Sequence, residues 1–249
     1  MAEWLILQLP RGLDDQCGWM LADDSGAARS APQIGTLAQA AGESAGRRVA
    51  AVVPSSDVLI TEVELPQKAG VRAPQVVAYA LEEQVAADIE TLHFALGERD
   101  DATGRSAVAV VTRTLMNEWL AVLLAAGLAP VALCAEAALL PENPGHTVLL
   151  IDGDTLSLRR AGRAPLSLPA ADLSAAIEAS LGAEMATENI ILYATARDWT
   201  RHAAEGELLR ARCASLKVQL LESGALPLLA PQLASGRYIN LLAGEWTAI

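Results

Sequence analysis

Glu82, Glu83, Asp88 and Glu90 crowd the segment YALEEQVAADIETLHF, residues 79–94, and carboxylates at that density could hold a metal, move protons or meet a partner. The segment opens as a helix and ends extended. Adjacent Glu82 and Glu83 would point about 100° apart on a helix, so they cannot form a facing pair for acid–base or two-metal chemistry. A helical projection buries Val76, Val77, Ala80, Leu81 and Ala87 and turns Tyr79, Glu82, Glu83 and Ala86 outward. A solvated face is the plain reading, and a surface recognised by another protein is the sharper one. Gln84 falls inside the apolar arc, where an unpaired amide would cost about 1–3 kcal/mol, so it is predicted to bond backbone groups of a neighbouring lobe.

Other chemistry is thin. His93, His146 and His202 lie far apart in sequence with no cysteine or carboxylate at ligand spacing, and His93 reads as a core or edge residue of a strand. No nucleophile elbow, Walker A loop or dinucleotide glycine fingerprint occurs. Cys17, Cys134 and Cys213 are odd in number and scattered, which fits reduced, buried thiols. The phosphate-loop candidate is LLIDGDTLSL, where Asp152 and Gly153 end an apolar run. It resembles the phosphate hairpin of the actin and sugar-kinase superfamily, but lacks the small-residue continuation that lets backbone N–H groups approach a phosphate. The matching place in the first half is LQLPRGLDDQ, where Gln8 and Leu9 precede Pro10, which has no N–H to offer. A glycine pair is also expected after NIILYA, yet TARDWT has none. Gln8, Asp152 and Gly153 therefore mark a degenerate nucleotide cleft, and no catalytic residue, metal or cofactor is predicted.

The elements that must position these residues come from a chain of 249 residues, 52% hydrophobic and 19% charged, enough for two or three small domains. With aromatic residues at only 4%, the core must be built mainly from Ala, Leu and Val. A formal charge of -12 disfavours nucleic acid and anionic lipid and suits a partner with a basic face. Strands are predicted near 3–9, 17–22, 48–54 and 58–65, with a helix over 32–42; in the last strand Leu59, Thr61, Val63 and Leu65 form the packed face. Then come the acidic helix, strands over 91–98 and 106–112, a helix over 113–126 and a strand over 131–134. WLAVLLAAGLAPVALCA, residues 119–135, is uncharged, but Gly127 and Pro130 break it short of the ~20 residues a bilayer requires. After the turn-rich PENPG, meandering strands turn at Asp152-Gly153 and Ala161-Gly162. Helices over 172–181, 196–210 and 226–233 then alternate with strands at NIILYA and KVQLL. The start, MAEWLILQLPRG, has neither the basic residues nor the long apolar run of a signal peptide. The sum is an α/β chain of mixed sheets divided into 1–66 with a return segment 131–145, 67–130, and 146–249, the two outer parts sharing element order more than residues.

VVPSSDVLITEVELP, YALEEQVAADIETLHFALG, LLAAGLAPVALCAEAALLP and INLLAGEW together resemble the cytoplasmic region of protein L of the bacterial type II secretion system, the GspL family. The resemblance runs along nearly the whole chain. It implies an actin-like ATPase fold with two ribonuclease H-like lobes and an inserted small αβ domain. It also implies a non-catalytic scaffold on the cytoplasmic side of the inner membrane that recruits the secretion ATPase, protein E, alongside proteins M, F and C. A homodimer is plausible for such a component, and membrane contact would run through a transmembrane helix absent from this chain, which then reads as a soluble fragment. On this reading the carboxylates of Glu82, Glu83, Asp88 and Glu90 meet a basic patch on the ATPase, with a strand edge of either lobe as the competing contact. The other classes kept open are an actin-like ATP-binding assembly protein, as in pilus assembly protein M, and a sugar or acetate kinase.

Overall fold

The computed structural model describes residues 3–10, 16–64, 73–83, 85, 87–99 and 104–247. Its first half contains β1 (Trp4–Gln8), β2 (Gln16–Ala22), β3 (Gln33–Thr36), α1 (Leu37–Ala41), β4 (Arg48–Val53) and β5 (Leu59–Glu64). These are followed by α2 (Ala73–Leu81), β6 (Leu92–Arg99), β7 (Arg105–Thr112), α3 (Arg113–Ala125) and β8 (Pro130–Ala135). The second half contains β9 (Thr147–Asp152), β10 (Thr155–Arg159), β11 (Leu166–Pro169), α4 (Leu173–Leu181), β12 (Asn189–Ala194), α5 (Ala196–Arg212), β13 (Ser215–Leu220) and α6 (Leu226–Ala234).

Two five-stranded mixed sheets have the same order, β3-β2-β1-β4-β8 and β11-β10-β9-β12-β13. In each, the first strand is central, antiparallel to the second and parallel to the fourth. Central strands with both faces covered should be apolar along their length, and β1 from Trp4 to Leu7 and β9 from Val148 to Ile151 are. Leu5 and Leu7 of β1 point into a core with Met116, Trp119, Leu120 and Leu123 of α3. Trp4 and Ile6 point the other way, into a second core shared with Val148 and Leu150 of β9 and with Leu226, Leu229 and Leu233 of α6. Leu149 and Ile151 of β9 face a third core under α4 and α5. Gly26 (φ +83°) holds the β2–β3 loop so close to α6 that a Cβ would lie 2.5 Å from the Ala230 carbonyl.

The third sheet, β5-β7-β6, is antiparallel. Its pairing joins residues 59–64 to the strands of the 67–130 segment. One face adds Ile60, Ala95, Ala109 and Val111 to the α3 core, and the other packs Val63, Val108 and Val110 against Val77 and Leu81 of α2. Both faces are covered, so the predicted division of β5 into a packed and a wet face does not hold: Ile60 and Val63 are buried, and Leu59 is 46% exposed. The predicted helix over 32–42 also changes. It starts as β3, where Gly35 pairs with Cys17 beneath the Trp19 ring, and turns helical only after Thr36, whose capping box with Gln39 starts α1. Helix α2 stops at Leu81, so the projection fails beyond it, and Ala80 and Ala87 are exposed. Gln84 and Ala86 lie outside the described residues, so the predicted amide contact is not placed. Helix α3 buries Met116, Trp119, Leu120 and Leu123 and leaves Thr114, Asn117, Ala121 and Ala125 outward, as its sequence stripe requires. Among the described residues no helix is long and apolar enough to cross a membrane.

The segment 239–246 closes the open edge of β8. The Asn240 side chain acts as an extra peptide group: Oδ1 accepts from Leu133 N–H at 3.0 Å, and Nδ2 donates to the Val131 carbonyl at 3.2 Å. Leu241 N–H then donates to the Leu133 carbonyl at 2.7 Å. Buried His93 of β6 donates from Nε2 to the Leu241 carbonyl at 2.8 Å, and the Trp246 ring meets it edge-on at 6.2 Å.

Burial, and secondarily the Arg113 charge, hold the His93 pKa below its ordinary 6.5, while the Leu241 hydrogen bond pulls upward. The folded state therefore binds fewer protons than the unfolded state as pH falls past about 6.5. Stability supplied by neutral His93 is complete above that pH and lost on going down through the folded pKa. Thermal melts between about pH 7.5 and about pH 5 should show the unaltered chain losing more melting temperature than His93→Gln. Equal losses would remove His93 from this role.

Candidate functional site

Gln8 and Asp152 occupy equivalent positions, the last residues of the central strands β1 and β9. Crevices beyond the carboxyl ends of parallel strands are where ligands usually bind α/β sheets. Here the two residues bond each other, Gln8 Nε2 donating to Asp152 Oδ2 at 2.9 Å. The same nitrogen lies 3.2 Å from Glu136 Oε2, a buried carboxylate just after β8. One amide group thus links the two five-stranded sheets and sits between two negative charges. Glu136 was not singled out from sequence; the signal was an acidic residue closing the apolar run PVALCA.

Beside this clasp is a cleft of about 460 Å³ lined by residues of both halves. That volume would suit a small molecule. Gly153 (φ +58°) takes the first central position of a two-residue turn to β10, and Asp154, with no positive φ, takes the second, the pattern of a type II′ hairpin. Asp154 is paired with Arg201 at 2.9 Å. Pro10 lies in the wall, as does Gly224 from the loop after β13, so a glycine reaches the cleft one strand later than predicted. Three carboxylates, Glu136, Asp152 and Asp154, line it, with no lysine or arginine among the described lining residues. Among the described lining residues a triphosphate entering would meet carboxylates and no side-chain cation, Arg201 reaching Asp154 from outside that lining.

The acidic set lies elsewhere. Glu82 and Glu83 follow α2 in a turn closed by Glu82 N–H to the Tyr79 carbonyl, and Asp88 caps a short helical turn by accepting from Glu90 N–H at 3.0 Å. All four carboxylates are exposed, and none has an ion-pair partner among the described residues. Tyr79, one turn earlier, is 71% exposed. Among the described residues no group of three or more His, Cys, Asp or Glu is arranged to hold a metal. His202 of α5 is buried against Glu205 Oε1 at 3.0 Å and lines neither place, and Cys17 and Cys134 are buried thiols, burial pushing the first to about 11 and the second to about 12.

The sequence pattern of the family described as type II secretion system (T2SS), protein L, matches residues 5–248. The chain belongs to that family. Curated type II secretion system L proteins are similar over shorter stretches. One from Pectobacterium carotovorum subsp. carotovorum is 33% identical over 145 residues, which is 56% of this chain and 33% of that protein. One from Klebsiella pneumoniae is 40% identical over 93 residues, 37% of this chain and 23% of that protein. The chain thus spans about a third of the first of these relatives. Among solved structures, the cytoplasmic domain of EpsL, an inner-membrane component of the type II secretion system of Vibrio cholerae, superposes with a TM-score of 0.72 at 21% identity. That match covers 98% of this chain and all of that domain. The PilM-PilN type IV pilus biogenesis complex gives a TM-score of 0.59 at 17% identity over 94% of this chain. At these identities the structural matches speak for the fold.

Within this protein L fold, Gln8→Glu tests the clasp. The change keeps the side chain's size but sets a third carboxylate against Asp152 and Glu136. Chemical denaturation at neutral pH should show a loss of about 1–3 kcal/mol, shrinking as the pH is lowered and carboxylates protonate. Stability equal to that of the unaltered chain would mean that the amide does not hold the sheets together.

Proposed function

We propose that the chain is a non-catalytic scaffold on the cytoplasmic side of the bacterial inner membrane that recruits the type II secretion ATPase, protein E, for protein export, in company with platform proteins M, F and C. On this reading it is part of a single-pass membrane protein and is free to pair with a second copy. Residues 1–66 with 131–145, and residues 146–249, act as ribonuclease H-like lobes of an actin-like fold, with 67–130 as the inserted small domain. The pairing of β5 with β7 assigns residues 59–64 to the sheet of that insert. Family membership and the repeated strand order support this reading.

The observation that carries the docking assignment is charge left unpaired. In the described structure Arg29, Arg47, Arg113, Arg160, Arg201 and Arg212 all meet carboxylates, whereas Glu82, Glu83, Asp88 and Glu90 meet no cation. Exposed carboxylates around an exposed tyrosine suit a basic partner surface, with charge setting the encounter rate and the ring giving the buried contact. The cleft supports the non-catalytic part, because its hairpin aspartate is occupied by Gln8 and its described lining carries negative charge only.

Neutralising the four carboxylates together as Glu82→Gln, Glu83→Gln, Asp88→Asn and Glu90→Gln should weaken binding to the amino-terminal domain of the cognate ATPase about tenfold and flatten its salt dependence. An unchanged affinity across a salt titration would move the docking site to a strand edge. Calorimetry with Mg-ATP on the same chain should give no saturable heat. Stoichiometric ATP binding would instead favour an actin-like nucleotide-binding assembly protein.

A further inference from the structure

A second and larger cleft, about 920 Å³, opens where the third sheet meets the second half of the chain. One wall is the third sheet, with Glu62 and Glu64 of β5, Glu98 of β6 and Arg105 of β7. The other is the β10–β11 turn, and the floor is the stretch after α6 that leads into the segment covering β8. The frame is fixed by committed contacts. Glu62 Oε1 accepts from Ala164 N–H at 2.6 Å and holds the turn to β5. Arg105 pairs with Glu62 and Glu64, and Arg159 with Glu142 at 2.6 Å. Gln232 Nε2 donates to the Arg237 carbonyl and steadies the floor.

Two lining cations stand outside this network. Arg163, on the turn, and Arg237, on the floor, are exposed, and neither side chain has a hydrogen-bond or ion-pair partner among the described residues. Arg105 is shared by Glu62 and Glu64 and Arg159 pairs with Glu142, so the described lining sets four guanidinium groups against four carboxylates, and of those guanidinium groups Arg163 and Arg237 stand outside the pairs. Guanidinium stays charged at any working pH and offers forked N–H donors that match phosphate oxygens. The nucleotide-cleft position beside Gln8 has the opposite character, with carboxylates and no described cation.

We propose that this cleft binds a small soluble polyanion carrying adjacent phosphate groups, one held from the turn by Arg163 and one from the floor by Arg237. The enclosure by three elements, with a volume in the range of small-molecule sites, fits such a ligand. Occupancy would tie the β10–β11 turn to the stretch after α6 across the cleft. The proposal does not depend on the docking patch, which lies on α2 and the turns that follow it.

Calorimetry of the 249-residue chain with inorganic pyrophosphate tests it. Saturable binding is expected, weaker for inorganic phosphate, and reduced about tenfold or more by Arg163→Ala and by Arg237→Ala. Arg197→Ala, an exposed arginine on α5 outside the cleft, should leave it unchanged. Neither arginine's side chain has a hydrogen-bond or ion-pair partner among the described residues, so unaltered thermal melts should confirm that the variants fold; Arg163→Gln and Arg237→Gln serve as second variants. Absence of saturable heat overturns the proposal. So does pyrophosphate binding that survives both substitutions, that falls equally with Arg197→Ala, or that is no tighter than phosphate binding.

Discussion

The two five-stranded sheets share one apolar core, and the rest of the molecule is arranged around that fact. Trp4 and Ile6 from β1, Val148 and Leu150 from β9, and the inner face of α6 bury each other, so neither sheet can cover its inner face without the other. Since side chains alternate along a strand, the same geometry forces Leu5, Leu7, Leu149 and Ile151 outward, where α3 on one side and α4 with α5 on the other must cover them. Rigid placement of the two halves is a product of this layering. The polar contacts between them adjust a geometry that apolar burial has already set.

That placement brings the ends of the central strands together, and it explains why the crevice is a clasp. In a repeated architecture the equivalent residues Gln8 and Asp152 look at one another across the join. An amide there satisfies a carboxylate and binds the halves; backbone N–H groups there would have presented donors to a phosphate. With Glu136 accepting from the same nitrogen, one amide gathers two carboxylates at the join, and the described lining of the cleft adds no lysine or arginine.

Much of this could be read from residue order. Apolar runs located β1, β4, β9 and β12, the Asp152-Gly153 pair located a hairpin, and the matched element order of the outer parts anticipated the common strand order. Asp152 marks the cleft in the sequence because Asp152-Gly153 closes an apolar run and resembles a phosphate hairpin, and Gln8 because it stands at the matching place in the first half. What could not be read was partnership between distant segments. Hydropathy cannot tell whether β5 is covered on one face or two, since that depends on α2 and α3 arriving from opposite sides. Nor does any spacing connect Glu136 to Gln8, which bond each other, or Arg163 to Arg237, which line one cleft; the layers bring them there.

The way the segment 239–246 is tied down has a mechanical meaning. Its bonds to Val131, Leu133 and His93 are few, consecutive and set at the rim of a sheet. Beneath those bonds Ile239 and Leu241 are buried in the core that α3 covers, and Glu245 pairs with Arg113 at the start of that helix. Lifting this stretch away would therefore uncover apolar surface as well as a strand edge, so the last turn of the chain is built into the first half instead of trailing from it.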